Sequence, residues 1–192
     1  GLLKLAATPG VKEVLFMPQY PQFADSTITT SIVEAKRVIA AHGLQIKLNV
    51  LPPFYDRPEY LDALAQRTQP HLQQGFDFLL LSYHGLPERH LRKADPTGSH
   101  CLATPDCCSR PSPAHASCYR AQCTSVSRAL AERLGLRDDQ WSQSFQSRLG
   151  RDKWIEPYTE AREELVLVPC LNDDAQWLYV LQGWSENTPA MA

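Results

Sequence analysis

The run Phe76-Asp77-Phe78-Leu79-Leu80-Leu81-Ser82-Tyr83-His84, cut off by Gly85-Leu86-Pro87, constrains the fold more than any other stretch. Leu79-Leu80-Leu81 is continuously apolar rather than alternating, the pattern of a parallel strand covered on both faces. A parallel strand needs a crossover of a dozen residues or more, normally a helix, to reach its neighbour.

The rest of the chain supplies such crossovers. Glu13 to Pro18 reads as a short strand, followed by a Pro- and Gln-rich loop through Phe23. Asp25 or Ser26 is placed to cap a helix carrying Ile28, Ile32, Ala35 and Ile39, with Gly43 as its stop. Ile46 to Leu51 is a second strand, ended by Pro52-Pro53. Asp56 and Pro58 open a helix that Gly75 closes. After the strand at Phe76 to His84 comes a long Pro- and Cys-rich segment. A helix with Tyr119, Val126, Leu130 and Leu134 follows, then a strand at Trp141 to Ser147. Pro157 is expected to open another helix and Leu165 to Leu171 to form a last strand. Asn172 or Asp173 is expected to cap a final helix through Trp177 and Leu181.

Strands separated by helical runs predict an α/β protein with doubly wound, Rossmann-like parallel sheets. A chain of 192 residues suffices for one sizeable core or two small lobes around a cleft. The net charge of −2 offers no basic field for nucleic acid. The longest apolar runs are too short for a transmembrane segment, which leaves peripheral contact with a membrane open. Gly1 to Ala7 lacks a charged start and a signal cleavage site, and the chain reads as beginning inside a helix, like a fragment.

His84 is the sharpest chemical signal. It falls where a strand ends, and ligands of open α/β sheets bind at the carboxyl ends of strands. Imidazole takes a proton or a divalent metal near neutral pH. A lone histidine satisfied by a backbone carbonyl is the bland alternative, and the stiff Gly-Leu-Pro loop weighs against it. Trp154 interrupts the polar loop Gly150-Arg151-Asp152-Lys153 just past a strand, where a flat apolar ligand could stack. Tyr20 and Tyr83 add aromatic surface near strand ends. Arg89, Arg148 and Arg151 flank these loops and could pair with ligand carboxylates, although most surface arginines are simply solvated.

Five of the six cysteines, Cys101, Cys107, Cys108, Cys118 and Cys123, fall within 23 residues. Paired Cys-x-x-Cys knuckles, the usual sign of a zinc ribbon, are missing. Iron–sulfur clusters accept irregular spacing. His100 and His115 lie in the segment as further candidate ligands. Reduced cysteines of an ordinary cytosolic loop are the remaining alternative.

Four stretches resemble ferrochelatases, the enzymes that insert ferrous iron into a porphyrin in haem synthesis. They are Met17 to Phe23 with Ser26-Thr27, Ser82-Tyr83-His84-Gly85-Leu86-Pro87-Glu88-Arg89, Cys118-Tyr119-Arg120-Ala121-Gln122-Cys123, and Trp141 through Tyr158-Thr159-Glu160. The resemblance implies a two-lobed fold with the porphyrin between the lobes. Residues 1–84 then belong to a first lobe, 85–118 to a Cys-rich insertion, 119–184 to a second lobe and 185–192 to a tail. It implies His84 as the catalytic residue that contacts ferrous iron or removes pyrrole protons. Tyr20, Tyr83, Leu86, Pro87, Arg89 and Trp154 are implied porphyrin contacts. The cysteine segment is similar to an insertion of bacterial members, some of which hold a [2Fe-2S] cluster, and four of the five cysteines are the expected ligands: Cys101, Cys118, Cys123 and one of Cys107 or Cys108, since these two neighbours cannot easily both bind one metal. A cytoplasmic enzyme is expected, with protoporphyrin IX as the leading substrate.

The chain departs from this pattern in two places. The first strand and helix of the family are expected before Gly1. Near Glu164-Leu165 the chain runs straight into a tail like Val168-Pro169-Cys170-Leu171-Asn172-Asp173, without the strand and acidic loop whose glutamate faces the histidine. An internal deletion is therefore expected, with weakened activity. A non-catalytic porphyrin- or iron–sulfur-binding fragment is the alternative, and a chelatase acting on another tetrapyrrole is a third reading.

Overall fold

The computed structural model describes residues 1–159 and 166–187. Two parallel strand pairs organise it. Strand β1 (Glu13–Phe16) pairs with β2 (Lys47–Val50), and β3 (Leu79–His84) pairs with β4 (Trp141–Gln146). Each pair is a β-crossover-β unit. Helix α2 (Thr30–Ala41) makes the first crossover, and α4 (Glu88–Ala94), the cysteine segment and α5 (Tyr119–Arg133) make the second. A short helix α1 (Leu2–Ala6) precedes them, α3 (Pro58–Gln73) joins the two pairs, and α6 (Ala175–Asn187) ends the described chain.

Local sequence explains most boundaries. Pro58 sits at the start of α3, where its missing N–H costs nothing because that amide has no helical partner. Gly135 takes φ +67° directly after α5, a conformation that strains any residue with a Cβ.

Caps differ from expectation. Ala24, without a side-chain cap, precedes a π-turn at Asp25–Thr29 that leads into α2, and the Asp25 carboxylate instead lies 3.2 Å from Lys93 Nζ. In α6 the cap is Asp174, whose Oδ1 accepts from the amides of Gln176 and Trp177 at 3.1 Å.

Two expected elements are replaced. Residues 157–159 do not open a helix. They run extended beside β4, with the Phe145 amide on the Pro157 carbonyl (2.8 Å) and the Thr159 amide on the Phe145 carbonyl (2.9 Å). The first of these bonds uses the Pro157 carbonyl, an acceptor that a helix starting there would need. Residues 166–170 form no strand, and Val166 and Leu167 are exposed. The expected deletion junction at Glu164-Leu165 lies outside the described residues.

The β3 strand is also less covered than its apolar run predicts. Tyr83 and Phe145 turn to α5, where the Tyr83 hydroxyl lies 2.9 Å from Ser127 Oγ. On the opposite face Ser82 and His84 are exposed. There the Thr159 hydroxyl bridges Ser82 (3.0 Å) and Ser144 (2.6 Å). Strand side chains alternate, so one face is apolar and the other is a polar ledge.

Two cores meet at Tyr83. One gathers Leu91, Cys101, Ala114, Cys118, Cys123, Phe145 and Ile155 around the cysteine segment. The other holds Leu51, Phe54, Leu61, Val126, Trp177 and Trp184. Phe54, Trp177 and Trp184 pack with ring centroids 5.2–5.7 Å apart, contacts worth about 0.5–1.5 kcal/mol each beyond area burial. Helices α5 and α6, assigned by sequence to a second lobe, thereby pack on α3 of the first. The cysteine segment is not a bare loop either. It carries α4 and two 3-10 turns (Cys107–Ser109 and Pro113–Ala116), and Leu91 and Ala114 are buried in it.

Candidate active site and thiol cluster

His84 ends β3 in register with Gln146 of β4. The next amide, Gly85 N–H, donates to the Gln146 carbonyl at 2.7 Å. A Cβ on Gly85 would stand 2.9 Å from that carbonyl oxygen and 3.2 Å from Trp154 Cε3, so the strand ends close this tightly only around glycine. The loops beyond are zipped together. Ile155 N–H donates to the Leu86 carbonyl (3.0 Å) and Glu88 N–H to the Lys153 carbonyl (2.8 Å), with Pro87 and Trp154 paired between them. Ser147, just past Gln146, has φ +70°, a strained value for a residue with a side chain.

The imidazole is exposed, and its Nδ1 lies 2.7 Å from the Gly85 carbonyl oxygen. A carbonyl only accepts, so neutral His84 must carry its proton on Nδ1. The Nε2 lone pair is then available to a proton or a metal. The Trp154 indole stands beside it, ring centroids 6.4 Å apart, and donates from Nε1 to the Leu149 carbonyl at 3.0 Å.

The other residues singled out by sequence are placed differently. Trp154 shares the strand-end site with His84. Leu86 and the buried Pro87 shape the loop between them. Tyr83 points the opposite way, with its phenol buried and its pKa raised by desolvation. Tyr20 is exposed on the β1–α2 loop, which is held by Phe54 and Tyr55 amides on the Pro21 carbonyl. Among the arginines, Arg89 pairs with Asp152 (3.1 Å) and Arg148 lies over the Tyr158 ring (3.9 Å).

The thiols gather at the N-terminus of α5, where Cys118 is the capping residue. Cys118 is pushed down to about 6, chiefly by the neighbouring Cys108 thiol, against burial and with help from the Ala121 amide and Cys101. Burial, followed by the charge of Cys118, pushes the Cys101 thiol up, and Cys118 does the same to Cys108. Cys107 and Cys108 are turned the same way, Sγ atoms 3.9 Å apart, so their adjacency does not separate them. Cys123 instead lies fully buried beside Tyr119. All six cysteines are free thiols, and among the described residues no three His, Cys, Asp or Glu side chains are set around a single ion.

The histidines of the segment act as struts. His100 Nε2 and His115 Nε2 both donate to the Cys107 carbonyl, at 2.9 and 3.1 Å. Asp95 anchors the other side. Its carboxylate accepts from the amides of Thr97, His100 and Cys101 and from the Thr97 hydroxyl, at 2.7–2.8 Å. These bonds, the Cys101 amide first, hold the carboxyl well below its ordinary range. Sequence reasoning passed over Asp95, although Asp-Pro-Thr-Gly is a turn signal. It also gave no separate role to Tyr119 or Gln122, for which it held only the local motif.

The fold and site together define an α/β protein with a strand-end histidine beside an indole and a separate thiol cluster. The chain belongs to the ferrochelatase family. The family model described as Ferrochelatase matches residues 2–165. The ferrochelatases of Stutzerimonas stutzeri (strain A1501) and Pseudomonas fluorescens (strain Pf0-1) are 52% and 51% identical to it, each over 98% of this chain and 68% of their own length. That of Azotobacter vinelandii is 49% identical over 93% of this chain and 66% of its own length. The alignment to the Stutzerimonas relative runs to 233 positions against the 192 residues here, so at least 41 of its positions have no counterpart in the chain.

Proposed function

We propose that this chain is a ferrochelatase that inserts ferrous iron into a porphyrin, protoporphyrin IX foremost, with His84 receiving pyrrole protons and meeting the metal. The observation that carries this reading is the His84 Nδ1 bond to the Gly85 carbonyl, which leaves Nε2 as a free lone pair on an exposed face. Metallation releases two pyrrole N–H protons as one ferrous ion enters, so a base beside the macrocycle is required. Trp154 supplies a flat apolar edge, and Leu86 and Pro87 hold it against the histidine. Tyr20, exposed on its own loop, is a further proposed contact of the ring. Tyr83 serves by filling the core behind the strand. Arg89 spends only its Nε on Asp152 and keeps its Nη donors for a propionate.

We propose further that Cys101, Cys107, Cys108 and Cys118 are the ligands of a [2Fe-2S] cluster, around which they would have to close, since among the described residues no three of them are set around a single ion. Their thiols are neighbours, Cys118 is biased toward the thiolate, and the helix N-terminus favours the added negative charge. Arg120 Nε, buried without a hydrogen-bond partner among the described residues and close enough to lower the Cys108 pKa, adds a cation. This set replaces Cys123 of the sequence reading by both adjacent cysteines. Free thiols throughout fit a reducing cytoplasm. No helix among the described residues is long and apolar enough to cross a membrane.

Two measurements test these readings. Loss of free-base porphyrin fluorescence with ferrous iron under anaerobic conditions reports metallation, and no porphyrin binding by the purified chain would sink the first. Anaerobic purification with iron and acid-labile sulfide analysis tests the second. Zinc without sulfide would mean a zinc site, and neither metal nor sulfide would leave these as core cysteines.

A further inference from the structure

We infer that Tyr119 is a positioning residue for the His84 imidazole, and that the first turn of α5 ties the geometry of His84 to the order of the cysteine segment. The inference builds on the reading of His84 as the metal- and proton-handling group.

The Tyr119 hydroxyl donates to the His84 carbonyl at 3.0 Å. The following amide, Gly85 N–H, is held by the Gln146 carbonyl at 2.7 Å. The peptide plane between His84 and Gly85 is therefore fixed from both sides. Gly85 in turn offers its own carbonyl to His84 Nδ1. The carbonyl that meets Nδ1 lies in the next peptide plane, Gly85–Leu86, so the phenol hydroxyl and the strand bond act on the imidazole by fixing the two Cα atoms, of His84 and of Gly85, between which that contact closes.

Tyr119 is the residue after Cys118, the cap of α5. Three residues on, the fully buried Gln122 accepts from Phe23 N–H at 2.6 Å and donates to the carbonyls of His115 and Ala116 at 3.1 and 3.0 Å. One helical turn therefore holds the end of β3, the loop bearing Tyr20 and the end of the cysteine segment. A shift of Cys118 moves Tyr119 with it, because the two share the first turn of one helix. Hydrogen-bonded groups fixed on a rigid element transmit displacement in this way.

The test uses the full chain, labelled with 15N-histidine and read by NMR. The His84 ring signals are identified by their loss in His84→Ala. We expect His84 of the unaltered protein to show the Nδ1–H tautomer. Tyr119→Phe should mix the two tautomers, and so should Cys118→Ser. Two controls separate positioning from general loosening. Ser127→Ala removes the Tyr83 bond in the same core, and Cys170→Ser removes the thiol outside the segment; both should leave the tautomer as it was. An unchanged tautomer in Tyr119→Phe overturns the positioning role. Mixing in Ser127→Ala as well would reduce it to loss of stability and overturn it too. An unchanged tautomer in Cys118→Ser overturns the link to the cysteine segment. None of these readouts requires porphyrin turnover, so a chain that fails to bind porphyrin would sink the proposed activity without deciding this one.

Discussion

Across Gly85, the His84 imidazole and the Trp154 indole stand 6.4 Å apart between ring centroids, tilted by 55°. A methyl group on Gly85 would force its neighbours to shift, because the Gln146 carbonyl and the indole edge close on it from two sides. The relation between the two rings therefore depends on a position without a side chain.

Gly85→Ala should force the β3 and β4 ends apart. The nearer obstacle is backbone, which yields poorly, and overpacking of this kind typically costs about 1–3 kcal/mol. Urea unfolding should show that loss, together with weaker porphyrin binding. Wild-type stability and affinity in this variant would mean that the strand ends give way freely.

Trp154→Ala should weaken porphyrin binding by about 0.5–1.5 kcal/mol, roughly two- to twelvefold in Kd. Fluorescence titration measures it. If affinity stays put while the melting temperature drops, the indole is a packing residue alone.

His84→Ala should keep porphyrin affinity within about threefold and lower metallation a hundredfold or more, the usual range for a lost acid–base group. The unaltered chain should itself turn over slowly, since at least 41 positions of its Stutzerimonas relative have no counterpart here. Grafting that relative's extra residues after Leu165, where the family match stops, should raise the rate. Fast metallation by the ungrafted chain, or by His84→Ala in either background, contradicts this account.

Acid should loosen the cysteine segment through Asp95. Its carboxyl is depressed in the folded protein, so its contribution is full above the unfolded pKa of about 4 and is lost as pH falls below that. Unfolding followed from pH 6 to pH 3 should show a steeper loss for the unaltered protein than for Asp95→Ala. The protection of the Cys101 amide, its exchange rate taken relative to the intrinsic rate at each pH, should fall over the same window. Parallel pH profiles for the two proteins would remove Asp95 from the account.

Sequence by itself determined the element order and the chemistry on offer. Pro58 and Gly135 set helix ends through backbone constraints that act locally, and the apolar run before His84 set a parallel strand. The motifs around His84 and Trp154 placed a strand-end histidine beside an aromatic loop. Tertiary structure decided what depends on groups distant in sequence. Pro157 reads as a helix start, yet Phe145 captures its carbonyl and draws the segment along β4. Leu79-Leu80-Leu81 predicts a strand covered on both faces, whereas one face follows α5 and the other carries linked hydroxyls. Cys107 and Cys108 looked incompatible as neighbours until a 3-10 turn pointed them the same way. The proton on His84 Nδ1 and the Tyr119 bond behind it leave no trace in composition or periodicity. Both are hydrogen bonds to backbone carbonyls, which every residue type provides alike, so only the folded path of the chain selects which carbonyl is met.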